Sequence, residues 1–440
     1  MEAGTAVPRL AVRRVNRPQV VIVGAGFAGL DCAKALAGHA LDVTVIDRHN
    51  YHTFQPLLYQ VATSGLAPSD VAYPVRGIFR RTRNVTFRHG VVDGVDWERR
   101  EVWLRAGPRL GFDYLVVAAG AATNWFGVRG AEEHTFALYR LEDAIRARNH
   151  VLGQFEAAAW EQVGDGATEG RLTFVIVGGG ATGVEMAGAL RELFDHVLAK
   201  DFRRLNQFRA RIVLLEMSDT VLAPFSRKAR EHARRQLQRR GVDVRLRATV
   251  AEVTDAGVTL TSGERISART VIWAAGVRAN GLAGRLEVEQ TRAGRIVVAP
   301  DLSIPGRRGA FAVGDIAAIP QEEGAILPQL APVAKQSGAF VGQRILALIA
   351  GDEPSQFRYR DRGTMATVGR NAAVADLPLG VRLTGRSAWY AWLLLHLLWL
   401  AGFRNRLSVL LDWAWSFLTY DRGPRVIVGE ATPGRDCSRS

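Results

Sequence analysis

Two glycine-rich loops constrain the fold of this chain more than any other feature, because each stands where an apolar strand runs into a helix. They occupy residues 24–29 (GAGFAG) and 178–183 (GGGATG). In such a loop the first glycine makes a tight turn, the second lets backbone approach a pyrophosphate, and the third allows close packing of helix on strand. Two such loops predict two Rossmann-like domains that hold two nucleotides face to face, as hydride transfer from a nicotinamide to a flavin requires.

The two nucleotide-binding units end in the same way. Residues 114–120 and 271–276 are each an apolar strand followed by Ala-Ala-Gly, an internal echo that favours duplicated domains. A further strand at residues 311–313 precedes a Gly-Asp pair and is expected to return the chain to the first domain. We therefore predict an α/β fold with a discontinuous first domain (residues 18–140 and 286–385), a second domain (residues 141–285) and a C-terminal segment (residues 386–440).

The charges and the cysteines exclude several kinds of function. The chain has 57 Lys and Arg against 43 Asp and Glu, spread along the sequence without an aromatic-and-basic recognition module, so we expect no nucleic acid partner. An anionic membrane surface fits this charge better. The two cysteines, Cys32 and Cys437, form no CxxC pair, which excludes a dithiol redox site. Residues 1–17 hold no apolar stretch of a secretory signal, so the sites are expected to face a reducing cytosol.

The last quarter of the chain is strongly apolar. Residues 388–403 contain one polar side chain, His396, over about 24 Å of helix, shorter than the ~20 residues that usually span a bilayer. Residues 404–420 are apolar except for a polar stripe. Together with five tryptophans this pattern predicts helices that lie in a membrane interface. A dimer interface, hence a homodimer, or a buried helix pair is the alternative. The stripe consists of Asn405, Ser408, Asp412, Ser416 and Thr419, and the tryptophans are Trp389, Trp392, Trp399, Trp413 and Trp415.

Acidic residues stand at informative positions of both units. Asp47 ends the second strand of the first unit, 23 residues after Gly24, where a carboxylate binds an adenosine ribose. Glu216 ends the corresponding strand of the second unit, where an acid favours NADH because it repels a 2′-phosphate. The distance along the sequence from Gly178 to Glu216 is longer than is usual between such a loop and its acid, which implies an insertion near residues 198–210. Glu185 follows the second loop, and is either an acid stabilised by the helix dipole or a carboxylate near the nicotinamide–flavin junction.

Taken together, the two glycine loops, the acids that follow them and the apolar C-terminal quarter resemble those of the type II NADH dehydrogenases. These are the single-subunit, non-proton-pumping NADH:quinone oxidoreductases. The resemblance extends over residues 18–420, and residues 54–62 and 331–336 are its discriminating parts. The matching stretches are residues 21–30, 47–62, 175–190, 313–315 and 330–336, together with the apolar C-terminus.

The resemblance implies non-covalent FAD in the first domain and NADH as substrate in the second. NADH would give a hydride to flavin N5, and two electrons would then pass to a membrane quinone, at a bacterial cell membrane and peripherally on its cytoplasmic face. It also implies Glu185 near the nicotinamide and Gln336 at the quinone pocket, as catalytic residues, and no metal. Pro332 departs from the glutamine of some members. The expected cofactor-binding residues are Gly24, Ala25, Gly26, Phe27, Ala28, Gly29, Asp47, Arg48, Gln55, Gly120, Gly314, Asp315 and Lys335 for FAD, and Gly178, Gly180, Ala181, Thr182, Gly183, Glu216 and Gly276 for NADH.

Three other classes of flavoprotein compete with this interpretation. A sulfide:quinone reductase needs cysteines beside the flavin, and neither cysteine is placed for that. A soluble ferredoxin or rubredoxin reductase leaves the apolar residues 388–420 unexplained. A signalling flavoprotein that resembles apoptosis-inducing factor would oxidise NADH poorly with a short-chain quinone, whereas an enzyme would turn over steadily.

The glycine loops generate the first prediction. Purified protein is expected to be yellow and to release FAD on acid treatment. Gly26→Val should abolish flavin uptake, because a branched side chain occupies the space of the pyrophosphate. The measurement is the flavin absorbance of each folded, purified protein, with Gly111→Val as a control outside the loops. A colourless wild type that is fully folded would contradict the interpretation.

Overall fold

The computed structural model describes residues 17–161, 170–205, 210–321, 324–353, 355–419 and 421–428, so Cys437 lies outside the described residues. The first region, up to residue 134, contains the strands β1 (Gln19–Val23), β2 (Asp42–Asp47), β3 (Tyr51–Thr53), β4 (Ala72–Pro74), β5 (Val85–His89), β6 (Val92–Asp96), β7 (Glu101–Leu104), β8 (Arg109–Gly111), β9 (Tyr114–Val117) and β10 (Ala121–Thr123). Its helices are α1 (Phe27–Leu36), α2 (Leu58–Ala62), α3 (Pro68–Val71), α4 (Val75–Ile78) and α5 (Ala131–His134).

The second region runs from residue 136 to residue 285. Its strands are β11 (Phe136–Ala137), β12 (Thr173–Val177), β13 (Arg211–Leu215), β14 (Val242–Arg245), β15 (Val250–Thr254), β16 (Gly257–Leu260), β17 (Arg265–Ser267), β18 (Thr270–Trp273) and β19 (Val277–Ala279). Its helices are α6 (Leu141–Glu161), α7 (Ala181–Leu193), α8 (Ala199–Asp201) and α9 (Arg227–Arg239). Extra helical turns between residues 194 and 205 overlap the insertion predicted near residues 198–210.

The remaining elements return to the first domain and then build the C-terminal part. The strands are β20 (Ile296–Val297), β21 (Ala310–Ala312), β22 (Ala317–Ala318), β23 (Thr364–Gly369), β24 (Ala372–Asp376) and β25 (Arg382–Gly385). The helices are α10 (Ala331–Ala350), α11 (Arg386–Trp399) and α12 (Phe403–Thr419).

Two parallel sheets form the centres of the two nucleotide-binding domains. The first has the order β21-β9-β1-β2-β5, so β21 does bring the chain back to the first domain. Helix α10 then packs so closely against α1 that a Cβ at Gly338 would collide with the carbonyl oxygen of Ala28. The second sheet has the order β11-β18-β12-β13-β14. Because β11 pairs with β18, the second sheet already includes Phe136, four residues before the boundary predicted at residue 140.

The strands β23–β25 form a separate antiparallel sheet, which corrects the assignment of residues 364–385 to the first domain. This sheet packs on α7, where a Cβ at Gly188 would collide with the carbonyl oxygen of Val368. At its other end the backbone N–H and hydroxyl of Ser226 donate to Asp376 at 2.5 and 2.9 Å. The sheet therefore belongs with the second domain and with α11, not with the first domain.

Helix α12 turns the first two members of its polar stripe, Asn405 and Ser408, towards the protein body. The Asn405 side chain donates to the carbonyls of Ser69, Asp70 and Ala72 at 2.9 to 3.2 Å, and the Ser408 hydroxyl donates to the Asp70 carboxylate at 2.9 Å. The outward face of α11 and α12 is consequently apolar. Its strongly exposed members are Tyr390, Leu394, Leu398, Phe403, Leu407, Leu410, Leu411, Trp415 and Leu418.

The tryptophans do not follow the expectation that all five mark the outer surface. Trp392 is fully buried, and the Trp413 indole N–H donates to the Gln60 side chain at 2.8 Å. Among the five, Trp415 is the strongly exposed one, at 60%. In the described part of the chain, none of the helices combines the length and the apolar character needed to cross a bilayer.

Candidate active site

A cavity of about 870 Å³ lies at the carboxyl ends of the parallel strands, where open α/β sheets bind their ligands. It is continuous between the two domains and is closed on one side by α11. Fifteen of the predicted site residues line it: Gly24, Ala25, Gly26, Phe27, Ala28, Asp47, Arg48, Gln55, Gly120, Ala181, Thr182, Glu185, Gly276, Gly314 and Asp315.

The first glycine loop has the geometry of a pyrophosphate cradle. Gly24 has a φ of +111°, and a Cβ there would collide with the carbonyl of Ala118. A Cβ at Gly29 would collide with the carbonyl oxygen of Gly24, so α1 packs directly on the loop. At Gly26 a Cβ would meet nothing within 4 Å. This empty space in front of the N-terminus of α1 fits the diphosphate of FAD.

The second loop repeats this arrangement. Gly178 has a φ of +109°, Gly183 packs against the Gly178 carbonyl, and a Cβ at Gly180 would meet nothing within 4 Å. These three glycines, like Gly29, are not among the residues that line the cavity itself. They shape the turn that brings Ala181 and Thr182 to its wall.

Each strand-end acid is tied to the loop of its own domain. Asp47 accepts a hydrogen bond from the backbone N–H of Ala25 at 2.7 Å, and Glu216 accepts one from Gly179 at 2.6 Å. Glu216 also accepts from the backbone N–H and the hydroxyl of Ser218, at 2.8 and 2.6 Å. Both carboxylates are thereby fixed beside the first turn of the loop, the position from which such an acid reaches a ribose. Asp47 lines the cavity, whereas Glu216 lies beyond its edge.

Tyr139 is a cavity residue that the sequence analysis missed. Its hydroxyl accepts from the backbone N–H of Ala121 at 3.0 Å and donates to the Asp315 carboxylate at 3.5 Å. The Gln55 side chain donates to the Tyr139 carbonyl at 3.4 Å. Burial raises the pKa of Tyr139 to about 12 and also raises the pKa of Asp315. No motif marks Tyr139, because it follows a strand of only two residues.

Glu185 is a buried carboxyl at the far wall of the cavity. Helix α7 begins at Ala181, so Glu185 opens the second turn, where the helix dipole is already weak. Burial raises the pKa of Glu185 to about 8, against the hydrogen bond that it accepts from the Thr367 N–H at 3.2 Å. The Trp392 indole N–H lies near the Glu185 carboxyl and also opposes the rise of its pKa. Among the described residues this buried N–H has no partner within ordinary hydrogen-bond geometry.

Gln336 and Lys335 are not among the residues that line the cavity, although the Lys335 Nζ lies 5.9 Å and 5.7 Å from the centres of the Phe27 and Trp399 rings, which do line it. The Gln336 side chain donates to the Arg360 carbonyl and accepts from the Arg360 N–H, both at 3.0 Å. Lys335 forms an ion pair with Asp31 at 2.7 Å. Both residues lie one helical turn after Ala331 and Pro332, on the same face of α10, but their side chains are held by Asp31 and Arg360. The role of Gln336 at the quinone pocket stays a prediction.

Helix α11 contributes a wall that the sequence analysis did not assign residue by residue. Leu395, His396 and Trp399 line the cavity beside Pro332. The His396 ring bonds the Trp392 carbonyl through Nδ1 at 2.7 Å, and burial lowers its pKa to about 4, so the ring is neutral at physiological pH. The His396 ring therefore adds no charge to this wall of the cavity.

Comparisons with known proteins agree with this geometry. The sequence profile of the family described as "Pyridine nucleotide-disulphide oxidoreductase" matches residues 18–338, and that of "NDH2 C-terminal domain" matches residues 362–420. The type II NADH:quinone oxidoreductase Ndh of Mycobacterium tuberculosis is 39% identical over 430 residues, 94% of this chain and 91% of that protein. The type II NADH:quinone oxidoreductase of Staphylococcus aureus is 30% identical over 381 residues, 85% of this chain and 92% of that protein.

Solved structures share the fold. NDH2 from Plasmodium falciparum in complex with NADH superposes with a TM-score of 0.86 at 18% identity, over 93% of this chain and 99% of the other. The sulfide:quinone oxidoreductase of Aquifex aeolicus gives a TM-score of 0.70 at 17% identity, over 89% and 92%. The predicted α/β architecture and the predicted family are thus confirmed. The chain belongs to the type II NADH:quinone oxidoreductases, flavoproteins that take NADH as substrate.

Proposed function

We propose that the chain oxidises NADH held on the second loop and passes the electrons, through FAD held on the first loop, to a quinone that enters beside α11. The observation that carries this proposal is the single cavity lined by both loops and by α11. Cys32 is buried in α1 and does not line that cavity, which argues against sulfide oxidation. The test is steady NADH oxidation with a short-chain quinone.

FAD would lie with its diphosphate at Gly26, its ribose at Asp47 and its ring end near Asp315 and Gly314. When bound, FAD supplies the hydride acceptor between NADH and quinone, and that chemistry belongs to the cofactor. The protein's part is to position it. Asp315 is held by Tyr139, and the Gln329 side chain donates to its carbonyl at 2.9 Å, so this end of the cavity is rigid before FAD binds.

Glu216 would make the chain prefer NADH. Its oxygens are fixed by Gly179 and Ser218, and a fixed carboxylate accepts from a ribose 2′-hydroxyl but repels a 2′-phosphate. In wild type, kcat/KM for NADH should exceed that for NADPH, and Glu216→Gln should narrow the ratio by at least about tenfold, equivalent to about 1.4 kcal/mol. Glu264→Gln, an exposed acid of the same domain, should leave the ratio unchanged. Equal use of NADPH by the wild type would refute the assignment.

Glu185 would act at the quinone half-reaction by holding a proton. With a pKa of about 8 it is protonated at neutral pH, and it lines the same cavity as His396 and Pro332. A quinone becomes a quinol only with two protons, and a neutral carboxyl can donate one to a carbonyl oxygen. Glu185 is thus proposed as the proton donor of the cavity.

The raised pKa of Glu185 has a measurable effect on stability. The folded protein keeps this proton up to a pH of about 8, whereas the unfolded chain loses it near the ordinary value of 4.5. Between these pH values the folded state binds more protons than the unfolded state. The contribution of Glu185 to the free energy of unfolding is therefore complete below pH 4.5 and is lost as the pH rises through 8. The Tm of Glu185→Gln, measured relative to that of the wild type, should therefore rise as the pH increases from 6 to 9. The expected rise is at least about 2 °C, the shift that about 1 kcal/mol produces in a large domain. Glu156 is an exposed acid, so the Tm difference between Glu156→Gln and the wild type should stay constant over this pH range. A constant Tm difference for Glu185→Gln as well would contradict the proposal.

The outward face of α11 and α12 would rest on a membrane. Its leucines are 46% to 77% exposed, and Arg386, Arg404 and Arg406 stand at its edges, as on helices that lie in anionic interfaces. We place this face on the cytoplasmic side of the cell membrane, with the quinone entering where α11 borders the cavity. A homodimer that covers the same face is the alternative.

Charges on this face should release the chain from lipid. Leu398→Glu with Leu407→Glu should reduce binding to anionic vesicles by at least about tenfold in a flotation assay, because both side chains would leave the acyl layer. Both positions are exposed, so folding and turnover with a short-chain quinone should persist. Ile349→Glu with Trp160→Glu makes the same charge change on other exposed positions. If the variant with both glutamates loses dimerisation but still binds vesicles, the result would favour a homodimer that covers this face.

A further inference from the structure

Phe126 has a strained backbone and an exposed ring. Its φ is +53°, in the left-handed region that bulky side chains rarely adopt, and it is the one aromatic residue with such a φ in the described part of the chain. The residue is 63% exposed, so packing of the ring in the core does not explain the strain. Strained residues cluster where ligands are held, which makes Phe126 a candidate for contact with a ligand.

The loop that carries Phe126 is fixed to the end of β18. The Trp273 indole N–H donates to the Asn124 carbonyl at 2.9 Å, and the Asn124 side chain accepts from the Phe126 N–H at 2.9 Å. A Cβ at Gly276 would collide with the tip of the Phe126 ring, so the ring lies directly against Gly276. Gly276 lines the cavity described above, whereas Phe126 does not. The ring therefore stands at the edge of this cavity, where β18 ends.

A second exposed apolar side chain stands at the same edge of the sheet. Met217 is 72% exposed and directly follows Glu216 at the end of β13. The last residues of β13 and β18 both pair with Val177 of β12, so these two strands end level on either side of the second glycine loop. Two strand spacings, about 10 Å, separate their ends. Met217 and Phe126 thus flank the loop that would hold NADH.

NADH has two rings, and only one of them belongs at this edge. The nicotinamide must lie inside the cavity, because it gives its hydride to the flavin. The adenine is bonded to the ribose that Glu216 would hold, and Glu216 lies beyond the edge of the cavity. Each face of a purine is stabilised by contact with an aromatic ring or with an apolar side chain. Phe126 and Met217 offer surfaces of this kind, and neither has a group that binds a phosphate.

We propose that the adenine of NADH lies between Phe126 and Met217, with one face on the Phe126 ring. Phe126 is then a binding residue for the adenylate half of the substrate. The strained backbone serves this role, because it keeps an apolar ring exposed where the base arrives. This inference rests on the proposed placement of NADH on the second loop. It adds the adenine contacts to that placement and leaves the path of the electrons unchanged.

Ligands that carry or lack the adenylate half test this inference. Phe126→Asn removes the ring, and asparagine adopts the left-handed region readily, so the fold is kept. On the FAD-loaded protein this variant should weaken the binding of ADP-ribose, measured by calorimetry, by at least about tenfold, because the base loses its aromatic platform. The kcat/KM for NADH should fall by a similar factor. The kcat/KM for reduced nicotinamide mononucleotide, which has no adenine, should not change.

Three further variants separate stacking from indirect effects. Phe126→Tyr keeps an aromatic face and should retain the wild-type affinity for ADP-ribose. Met217→Gln removes the second apolar surface and should weaken ADP-ribose binding by about threefold. Leu379 is also an exposed apolar residue with a positive φ, +61°, but it lies in the C-terminal part of the chain. Leu379→Asn is therefore the matched control and should bind ADP-ribose as the wild type does.

Unchanged ADP-ribose binding in Phe126→Asn would overturn the inference. An equal loss of kcat/KM for NADH and for reduced nicotinamide mononucleotide would also overturn it, because Phe126 would then act on the nicotinamide half. Oxidation of NADH with a short-chain quinone is measured on the same preparations. A wild type that binds ADP-ribose but does not turn over defeats the proposed electron transfer alone. A wild type that turns over, with a Phe126→Asn variant that binds ADP-ribose equally well, defeats this inference alone.

Discussion

Direct contact between helix backbone and loop backbone, at Gly29 and again at Gly183, is the constraint on which the rest of the structure depends. Any side chain at either position would collide with the first carbonyl of its own loop. The contact aims the N-termini of α1 and α7 at the ends of their sheets. It also leaves the space in front of Gly26 and Gly180 open, so the shape of the cavity is set by packing before any cofactor arrives.

Much of this could be predicted from the sequence because it depends on local chemistry. The glycine loops, Asp47, and the return of the chain at β21 follow from residue types at fixed spacings. Gln336 could not be placed in this way. Its spacing of four residues from Pro332 puts both residues on one face of α10, but the spacing does not say which partner a long side chain will meet. The contact of Gln336 with Arg360 joins segments whose proximity only the folded chain defines.

The C-terminal helices show the same limit in a different form. An amphipathic pattern specifies two faces but not which of them meets the protein. On α12 the polar stripe faces inwards, because Asn405 and Ser408 satisfy polar groups of α3 and β4 that would otherwise be buried without partners. The sheet β23–β25 and Tyr139 were likewise beyond sequence reasoning, since each acts through contacts with distant segments.

The inward stripe of α12 ties the completion of the first domain to the end of the chain. Domains emerge from synthesis with their N-terminal parts first. The carbonyls of Ser69, Asp70 and Ala72 are made more than 300 residues before Asn405, their partner. Until α12 docks, the edge of the flavin domain near β3 and β4 remains unsatisfied. The outward apolar face is also undefined until then, because docking is what decides which side of α12 turns outwards. The docking of α12 therefore completes this edge of the flavin domain and orients the outward apolar face in one step.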